Sequence, residues 1–408
     1  MAREMKDSGI QWVGIIPADW ECRRLRFLCE IQTGNQDTQD SIPDGLFPFY
    51  VRSPIVERSN KYTFEGPAIL MAGDGAGAGR VFHYVDGKYG CHQRVYSLQK
   101  ITDINRRFLY YYLSNLFYRE IEIANSKSTV DSVRLPMLQN FQVVFPNDHK
   151  QKKIVEHLDS KCAEIDAVLN KTRTSIEEYK KLKQAIITQA VTKGIRGDRP
   201  MKESGVIWLD AVPAEWTISK IKYTIFPKEK PVLHMDEVIT CFRDGIVTLR
   251  RNRREEGFTI SFTENGYQGV DVGDLVIHGM DTFAGAIGCS DSRGKTSPVV
   301  HVCSTVGNNR YFMYFLRYMA YSGVLMDFSN GVRIRSSDFR NFKKLAVFEM
   351  LVPPLREQNK IVDYLDSTLA KIDQVIKQKE ILISELEACK KSAIYEYVTG
   401  KKEVPNAY

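Results

Sequence analysis

A glycine-rich segment with a basic end lies in the first quarter of the chain. Residues 71–80 read MAGDGAGAGR and follow an apolar run at residues 68–71 (AILM) that predicts a strand. The backbone N–H groups of such a loop can hold a phosphate. A dinucleotide site needs a helix to begin here, whereas residues 81–84 (VFHY) resemble a second strand. The pattern therefore favours a hairpin or a DNA-facing loop, in which Arg80 would contact a phosphate.

A second segment comes close to a P-loop. Residues 288–296 read GCSDSRGKT, but five residues separate the two glycines where the motif has four, and Pro298 interrupts the helix that must follow. We therefore reject nucleotide hydrolysis at this segment. Arg293, Lys295 and Ser297 remain as polar side chains suited to DNA.

The densest basic cluster is residues 250–254 (RRNRR). Two acidic residues follow it, so a solvated charged face and a DNA contact are both open interpretations. The whole chain has 57 Lys and Arg against 50 Asp and Glu, a net charge of +7. A charge of this size is compatible with a polyanionic partner but does not identify one.

The sequence lacks the patterns of the common enzyme classes. It contains no G-x-S-x-G, no H-E-x-x-H, and no C-x-x-C among its eight cysteines, which we expect to be reduced. His83, His92, His278 and His301 fall on predicted strands or strand ends, where a structural role is favoured, although His92 and His301 could also contact bases. An Asn-Pro-Pro-aromatic or Asp-Pro-Pro-Tyr element is also missing. We expect a non-catalytic chain with no metal or cofactor of its own.

The chain contains one arrangement twice. Residues 5–20 (MKDSGIQWVGIIPADW) and 201–216 (MKESGVIWLDAVPAEW) agree at 8 of 16 positions. Residues 151–169 (QKKIVEHLDSKCAEIDAVL) and 358–376 (QNKIVDYLDSTLAKIDQVI) agree at 11 of 19. A period near 200 residues is too long for a solenoid, so we interpret it as two halves related by an internal pseudo-two-fold axis.

Both copies of the second repeat open a long amphipathic segment. Apolar residues recur with the 4-3 spacing of a coiled-coil seam at Leu158, Ile165, Leu169, Ile176 and at Leu365, Ile372, Ile376, Ile383. Polar residues interrupt the two seams at matching places, Thr172 with Lys379 and Lys183 with Lys390. We therefore predict two helices of roughly 40 residues, on the order of 60 Å long, that pair antiparallel. The alternative is that each helix packs only on its own neighbouring domain.

Between these repeats lie two variable blocks with strand-like runs and one aromatic-rich helical stretch each, at residues 107–124 and 310–326. The predicted fold class is α+β, with two recognition domains separated by the long helices. We expect seven segments: 1–20 and 194–216 with the short repeat, 21–147 and 217–352 as globular domains, 148–193 and 353–399 as helices, and 400–408 as a tail.

The two copies together resemble the specificity subunit of a type I restriction-modification system. The resemblance is carried by residues 146–155 (PNDHKQKKIV) and 353–362 (PPLREQNKIV), and by Trp12, Pro17 and Trp20 with their counterparts Trp208, Pro213 and Trp216. The first copy departs from the usual Pro-Pro-x-x-Glu-Gln motif at Asn147 and Lys150.

The resemblance implies a non-catalytic subunit whose two target recognition domains each bind one half of a bipartite, asymmetric site in double-stranded DNA, with the helices fixing the spacer. It implies two methyltransferase subunits that modify adenines and a translocase/nuclease subunit as partners. S-adenosylmethionine, ATP and Mg²⁺ would serve those partners, and none would bind this chain. The implied location is the cytoplasm of a prokaryote, away from membranes; no apolar run approaches the length of a membrane span. The competing class is a coiled-coil scaffold with two protein-binding heads and no sequence-specific DNA binding.

Candidate DNA contacts can be named by residue type and position. They are Arg80, Lys88, His92, Arg94, Lys127 and Ser128 in the first block, and Arg250, Arg251, Arg253, Lys295, Asn330, Arg333 and Arg335 in the second. Acidic residues of the long helices, among them Asp159 and Asp366, are expected to face protein partners.

Overall fold

The computed structural model describes residues 3–124, 132–253, 264–327 and 339–405. It divides into two compact units, Met1–Arg173 with Glu380–Tyr408 (unit 1) and Thr174–Lys379 (unit 2). The candidates Lys127, Ser128, Asn330, Arg333 and Arg335 lie outside the described residues. Among the described residues, no helix is long and apolar enough to cross a bilayer.

Unit 1 combines short strands with two complete helices and parts of the two long helices in the described residues. Its strands are β1 (Met5–Asp7), β2 (Ile15–Pro17), β3 (Glu21–Arg24), β4 (Glu30–Thr33), β5 (Phe47–Tyr50), β6 (Glu57–Ser59), β7 (Phe64–Glu65), β8 (Ala68–Ala72), β9 (Phe82–Val85), β10 (Lys88–Cys91), β11 (Val95–Gln99) and β12 (Gln142–Phe145). Its helices are α1 (Arg106–Ala124), α2 (Leu135–Asn140), the first part of α3 (Asp148–Thr192) and the last part of α7 (Leu355–Val398).

The central sheet of unit 1 has the antiparallel order β4-β11-β8-β9. A mixed sheet has the order β6-β5-β10-β7, and β12 pairs with β3 just before α3 begins. All five residues of β8 are buried because successive side chains point to opposite faces. Ile69 and Met71 join the core that contains α1, whereas Ala68 and Leu70 join a second, smaller core.

The glycine-rich loop connects β8 to β9, which pair antiparallel from Ala68 with Val85 onward. The predicted hairpin is thus confirmed. Gly79 has a φ of +60°, and a Cβ there would lie 2.2 Å from Ile121 Cδ1. Glycine is favoured at this position, because a side chain would be strained at this φ and would require Ile121 to move.

Unit 2 has the same kinds of element. Its strands are β13 (Met201–Lys202), β14 (Val212–Pro213), β15 (Thr217–Lys220), β16 (Ile225–Pro227), β17 (Ile239–Cys241), β18 (Val247–Leu249), β19 (Gln268–Val270), β20 (Leu275–His278), β21 (Ile287–Cys289), β22 (Gly294–Thr296), β23 (Val300–Thr305) and β24 (Glu349–Val352). Its helices are α4 (Asn309–Tyr321), α5 (Val324–Asp327), α6 (Phe342–Leu345), the last part of α3 and the first part of α7 (Leu355–Val398).

The two variable blocks share a strand order. The sheet β16-β23-β20-β21 repeats the order and antiparallel pairing of β4-β11-β8-β9, and β15 pairs with β24 as β3 does with β12. The side chains of β20 also alternate between two cores, with Leu275 and Ile277 in one and Val276 in the other. The predicted α+β fold and internal repeat are confirmed.

One predicted helix is divided. The stretch at residues 310–326 forms α4 and then α5, because Gly323 lies between them with a φ of +84°. A glycine in this left-handed conformation ends a helix at low cost.

The long helices pair antiparallel inside each unit. In unit 1, Asp166 in the first half of α3 binds Lys390 in the last part of α7 at 2.6 Å. In unit 2, Lys183 late in α3 binds Asp373 early in α7 at 2.5 Å. The two lysines are the matched polar residues of the predicted seams, and each meets an acidic residue of the opposite helix.

The eight apolar seam residues lie on the inner sides of the helices. Leu158 and Leu365 belong to the domain cores of units 1 and 2. Leu169, Ile176 and Ile372 are also buried, whereas Ile165, Ile376 and Ile383 are half-buried. The seam therefore packs on the domain cores at Leu158 and Leu365 and is buried or half-buried between these points, where ionic contacts also join the helices.

Candidate nucleic-acid interface

Three basic candidates of unit 1 have exposed side chains with orienting partners. The Arg80 guanidinium lies 3.7 Å from the centre of the Tyr118 ring. Lys88 lies 4.0 Å from Glu65, and Arg94 lies 3.4 Å from Asp74 in the glycine-rich loop. Such exposed ion pairs are weak and can be exchanged for phosphate contacts.

His92 is a correction to the candidate set. Its side chain is 4% exposed, its Nδ1 accepts a hydrogen bond from the Arg94 N–H at 3.0 Å, and its Nε2 lies 3.4 Å from Asp37. Both ring nitrogens therefore have partners within the domain, although the residue also borders the open groove at the glycine-rich loop. His301 is also tied to the fold, through the Phe339 carbonyl at 2.7 Å.

Unit 2 contains an open groove of about 830 Å³ whose lining includes Arg250, Arg253, Thr240, Tyr267 and Ser297. The structure thus brings part of the basic cluster together with polar and aromatic side chains from other strands. Arg253 also binds Asp244 at 2.6 Å. Outside this lining, Arg251 binds Glu237 at 2.6 Å and is more than half exposed.

Two basic residues that the sequence suggested for DNA have partners within the fold. The Lys295 ammonium is 2.6 Å from Glu264, and its side chain is only 17% exposed. Arg293 binds Asp236 and Asp271, and these hydrogen bonds raise the pKa of its guanidinium. We therefore assign both residues to the scaffold of the domain.

Sequence reasoning missed the residues next to the glycine-rich loop. An open groove of about 330 Å³ is lined by this loop together with Arg52, Ser53 and Thr38. In unit 2 the larger groove also includes Arg243 and Asp281. Neither Arg52 nor Arg243 has another basic residue next to it in the sequence, so no basic run indicated them.

Each globular domain is joined to its long helix through one glutamine. Gln151 donates from Nε2 to the Pro146 carbonyl at 2.8 Å and accepts from the Asn105 N–H at 2.7 Å. Gln358 makes the equivalent bonds to Pro353 and Asn308, both at 2.9 Å. Asn105 and Asn308 also cap α1 and α4, so one side chain connects the start of each long helix to the start of a domain helix.

A second contact strengthens each joint. Asp159 accepts hydrogen bonds from Arg107 at 2.9 Å and from the Tyr111 hydroxyl at 2.5 Å. Asp366 accepts the same bonds in unit 2, from Arg310 at 2.7 Å and Tyr314 at 2.6 Å. One oxygen of each carboxylate, Oδ1, therefore holds a domain helix, while the Asp159 and Asp366 side chains remain 44% and 35% exposed. That these residues also face protein partners stays a prediction.

Comparisons with known proteins agree with this arrangement. Residues 17–178 match the family described as the type I restriction modification DNA specificity domain. The type I restriction enzyme EcoDI specificity subunit of Escherichia coli is 28% identical over 178 residues, which are 44% of this chain and 39% of that subunit. The chain therefore matches well under half the length of this relative.

A second relative matches over nearly the full length. The type I restriction enzyme MjaVIII specificity subunit of Methanocaldococcus jannaschii is 22% identical over 428 residues, covering 96% of this chain and 95% of that one. A solved structure from work on complex assembly and conformational transition of the type I R-M system has a TM-score of 0.65 at 14% identity, over 95% of this chain and 99% of that chain. This likeness shows a shared fold. Residues 17–178 thus match the type I restriction modification DNA specificity domain, and the chain as a whole is similar to type I restriction enzyme specificity subunits.

Proposed function

We propose that this chain is the non-catalytic DNA-recognition subunit of a type I restriction-modification complex. Residues 21–147 and 217–352 are the target recognition domains in this proposal, and each binds one half of a bipartite site in duplex DNA. Two methyltransferase subunits modify adenines at the site, and a translocase/nuclease subunit restricts unmodified DNA. Those partners use S-adenosylmethionine, ATP and Mg²⁺.

The observation that carries the proposal is the pair of equivalent joints. Gln151 and Gln358 attach two domains of the same strand order to the long helices by the same hydrogen bonds. The loops of the two domains differ in sequence, so the exposed surfaces differ although the attachment does not. Two DNA-binding domains that are attached alike but have different surfaces fit an asymmetric site, since a palindromic site requires two identical domains.

The long helices support a fixed spacer. Helix α3 has 45 residues and contributes to both units, as does the 44-residue α7. At a rise of 1.5 Å per residue, 45 residues correspond to about 68 Å. Half-site spacing follows protein geometry, so helix length would set the number of unread base pairs.

Exposed and half-buried basic residues would supply affinity that does not depend on sequence. Arg80, Lys88 and Arg94 in unit 1 and Arg250, Arg251 and Arg253 in unit 2 are the proposed contributors. Each neutralised phosphate releases counterions, so binding should weaken steeply as salt increases.

The test is to co-express the full chain with its methyltransferase partners and map methylated adenines by single-molecule sequencing. We expect two short half-sites separated by a constant number of unspecified base pairs. A contiguous motif, or none, would contradict the proposal. Retention of the purified chain on duplex DNA adds a second criterion, because a protein-binding scaffold would show no salt-dependent retention.

A further inference from the structure

An arginine-aspartate pair occupies the same place in both recognition domains. In unit 1, Arg52 Nη1 lies 3.1 Å from Asp74 Oδ1. In unit 2, Arg243 Nη2 lies 2.9 Å from Asp281 Oδ1. Each aspartate directly precedes the single 3₁₀ turn that follows the matching strand, β8 or β20.

The backbones of the two arginines are also placed alike. Arg52 follows β5 and Arg243 follows β17, each by two residues. A Cβ added to Gly77 would lie 2.4 Å from the Arg52 carbonyl oxygen, and one added to Gly285 would lie 3.1 Å from that of Arg243. The arginine backbone therefore approaches a glycine of the turn region in both domains.

This correspondence is not visible in the sequence. Residues 47–52 read FPFYVR and residues 238–243 read VITCFR, and the two segments share only the arginine. The arginine-aspartate pair thus occurs at the same place in both domains although the neighbouring residues differ. This recurrence indicates that the pair has the same role in both domains.

Both guanidinium groups are accessible from solvent. The Arg52 and Arg243 side chains are 46% and 66% exposed, and both residues line the open grooves of their domains. Asp74 and Asp281 are more enclosed, at 22% and 31%. Each carboxylate thus holds one edge of a guanidinium whose other N–H groups are available to a ligand.

The neighbouring carboxylate favours one kind of DNA contact. It offsets part of the arginine charge, so the pair gains less from a phosphate contact than an unpaired arginine would. An oriented guanidinium still offers two parallel donors, which match the O6 and N7 acceptors of guanine in the major groove. The carboxylate limits rotation of the guanidinium, so less side-chain entropy is lost when the arginine binds guanine, and the contact becomes more selective.

We infer that Arg52 and Arg243 are specificity-determining residues that each read a guanine, one in each half-site, and that Asp74 and Asp281 are their positioning residues. The inference rests on the proposed function, because it names the contacts through which the two domains recognise DNA. Asp74 also binds Arg94 at 3.4 Å, so in unit 1 one carboxylate orients two arginines.

The test uses the full chain co-expressed with its methyltransferase partners, with methylated adenines mapped for wild type and for Arg52→Ala and Arg243→Ala. We expect Arg52→Ala to relax one G·C position in one half-site and Arg243→Ala to relax one in the other. Loss of a bidentate contact should weaken discrimination at that position about ten- to hundredfold. Asp74→Asn and Asp281→Asn should relax the same positions to a smaller degree.

Lysine variants separate a base contact from a phosphate contact. Arg52→Lys and Arg243→Lys keep the charge but lose the paired donors, so the relaxed motif should persist. They also keep most of the side chain, and they decide the outcome if an alanine variant fails to fold. Arg23→Ala is the matched control. Arg23 lies on a different sheet, and its half-exposed side chain binds the carboxylates of Glu21 and Asp103. The methylation motif of this variant should be the same as that of wild type.

Three results would overturn the inference while leaving the proposed function intact. These are a wild-type half-site without a G·C pair, alanine variants that keep the wild-type motif, and a uniform loss of methylation that lysine restores. A wild-type chain that yields no bipartite motif would instead refute the proposed function, whatever the variants do.

Discussion

The Trp216 indole N–H donates a hydrogen bond to Glu357 Oε2 at 2.9 Å, at the start of the second long helix. Arg199 binds the same carboxylate, and the side chains of Arg199 and Glu357 are each only 7% exposed. In the first repeat the residue equivalent to Glu357 is Lys150, which binds Asp19 at 2.6 Å. The charge at this helix position is therefore opposite in the two repeats, and in each repeat the side chain binds a partner of the opposite sign.

Removal of Glu357 should be far more costly than removal of Lys150. Glu357→Ala leaves the Arg199 guanidinium buried beside a single remaining carboxylate, and we expect a loss of about 3 kcal/mol in the free energy of unfolding. Lys150→Ala removes an exposed ion pair and should cost less than about 1 kcal/mol. Urea unfolding of the full chain measures both, and equal losses would show that the buried network has no special weight.

The same carboxylate should make stability depend on pH. Burial alone would raise the pKa of Glu357, but hydrogen bonds from Arg199 and Trp216 outweigh it and lower the pKa below its ordinary 4.5. Protons then bind the unfolded chain more tightly than the folded one, so the stabilisation is complete above pH 4.5 and declines as the pH falls through the lowered pKa. The difference in urea midpoint between wild type and Glu357→Gln should therefore shrink in acid. A difference that stays constant from about pH 7 to about pH 3 would contradict this assignment.

The ion pairs between the long helices should fix their register. Lys183→Glu places two acidic side chains together at Asp373, and we expect a loss of about 0.5–1 kcal/mol that the second change Asp373→Lys restores. Thermal melting of the two single variants and the double variant measures the coupling. Lys180→Glu is the control, because Lys180 pairs with Glu177 on its own helix. No restoration in the double variant would mean that the contact does not join the helices in solution.

Lengthening both helices together should lengthen the spacer of the DNA site. Ile176 and Ile383 occupy equivalent positions in the two repeats, so one heptad inserted after each keeps the seam in phase. Seven residues add about 10.5 Å, close to three base pairs of DNA. Methylation mapping should show the original half-sites farther apart. An unchanged spacer would refute the role of the helices as a ruler.

Exchange of one variable block should change one half-site. Replacing residues 21–145 with the block of an unrelated specificity subunit keeps Gln151 and Asp159, which hold the joint from the helix side. The expected methylation motif has one new half-site, one original half-site and an unchanged spacer. A change in both half-sites would show that the two domains do not read DNA independently.

Much of the architecture could be predicted because its signals are local along the chain. The heptad spacing of α3 and α7 and the repeated segments before them are patterns of neighbouring residues, and they indicated the long helices and the internal repeat. The matched polar seam residues Lys183 and Lys390 indicated that the two helices pair with each other. The glycine-rich loop followed by a strand indicated a hairpin rather than a nucleotide site.

The candidate contacts were harder to predict because they depend on residues far apart in sequence. Arg52 meets Asp74 across 22 residues and Arg243 meets Asp281 across 38, and no repeated segment links either pair. The burial of His92 could not be predicted for the same reason, because the ring is held by contacts with Asp37 and with the backbone N–H of Arg94.

The sequence by itself determined the repeat, the two long helices and the α+β class, because periodicity and duplication are written in the order of the residues. Only the tertiary structure decided which charged side chains remain accessible, since burial and ion pairing depend on how the strands are arranged. It paired Asp159, Asp366, Arg293 and Lys295 with partners inside their domains and placed Arg52 and Arg243 at the grooves.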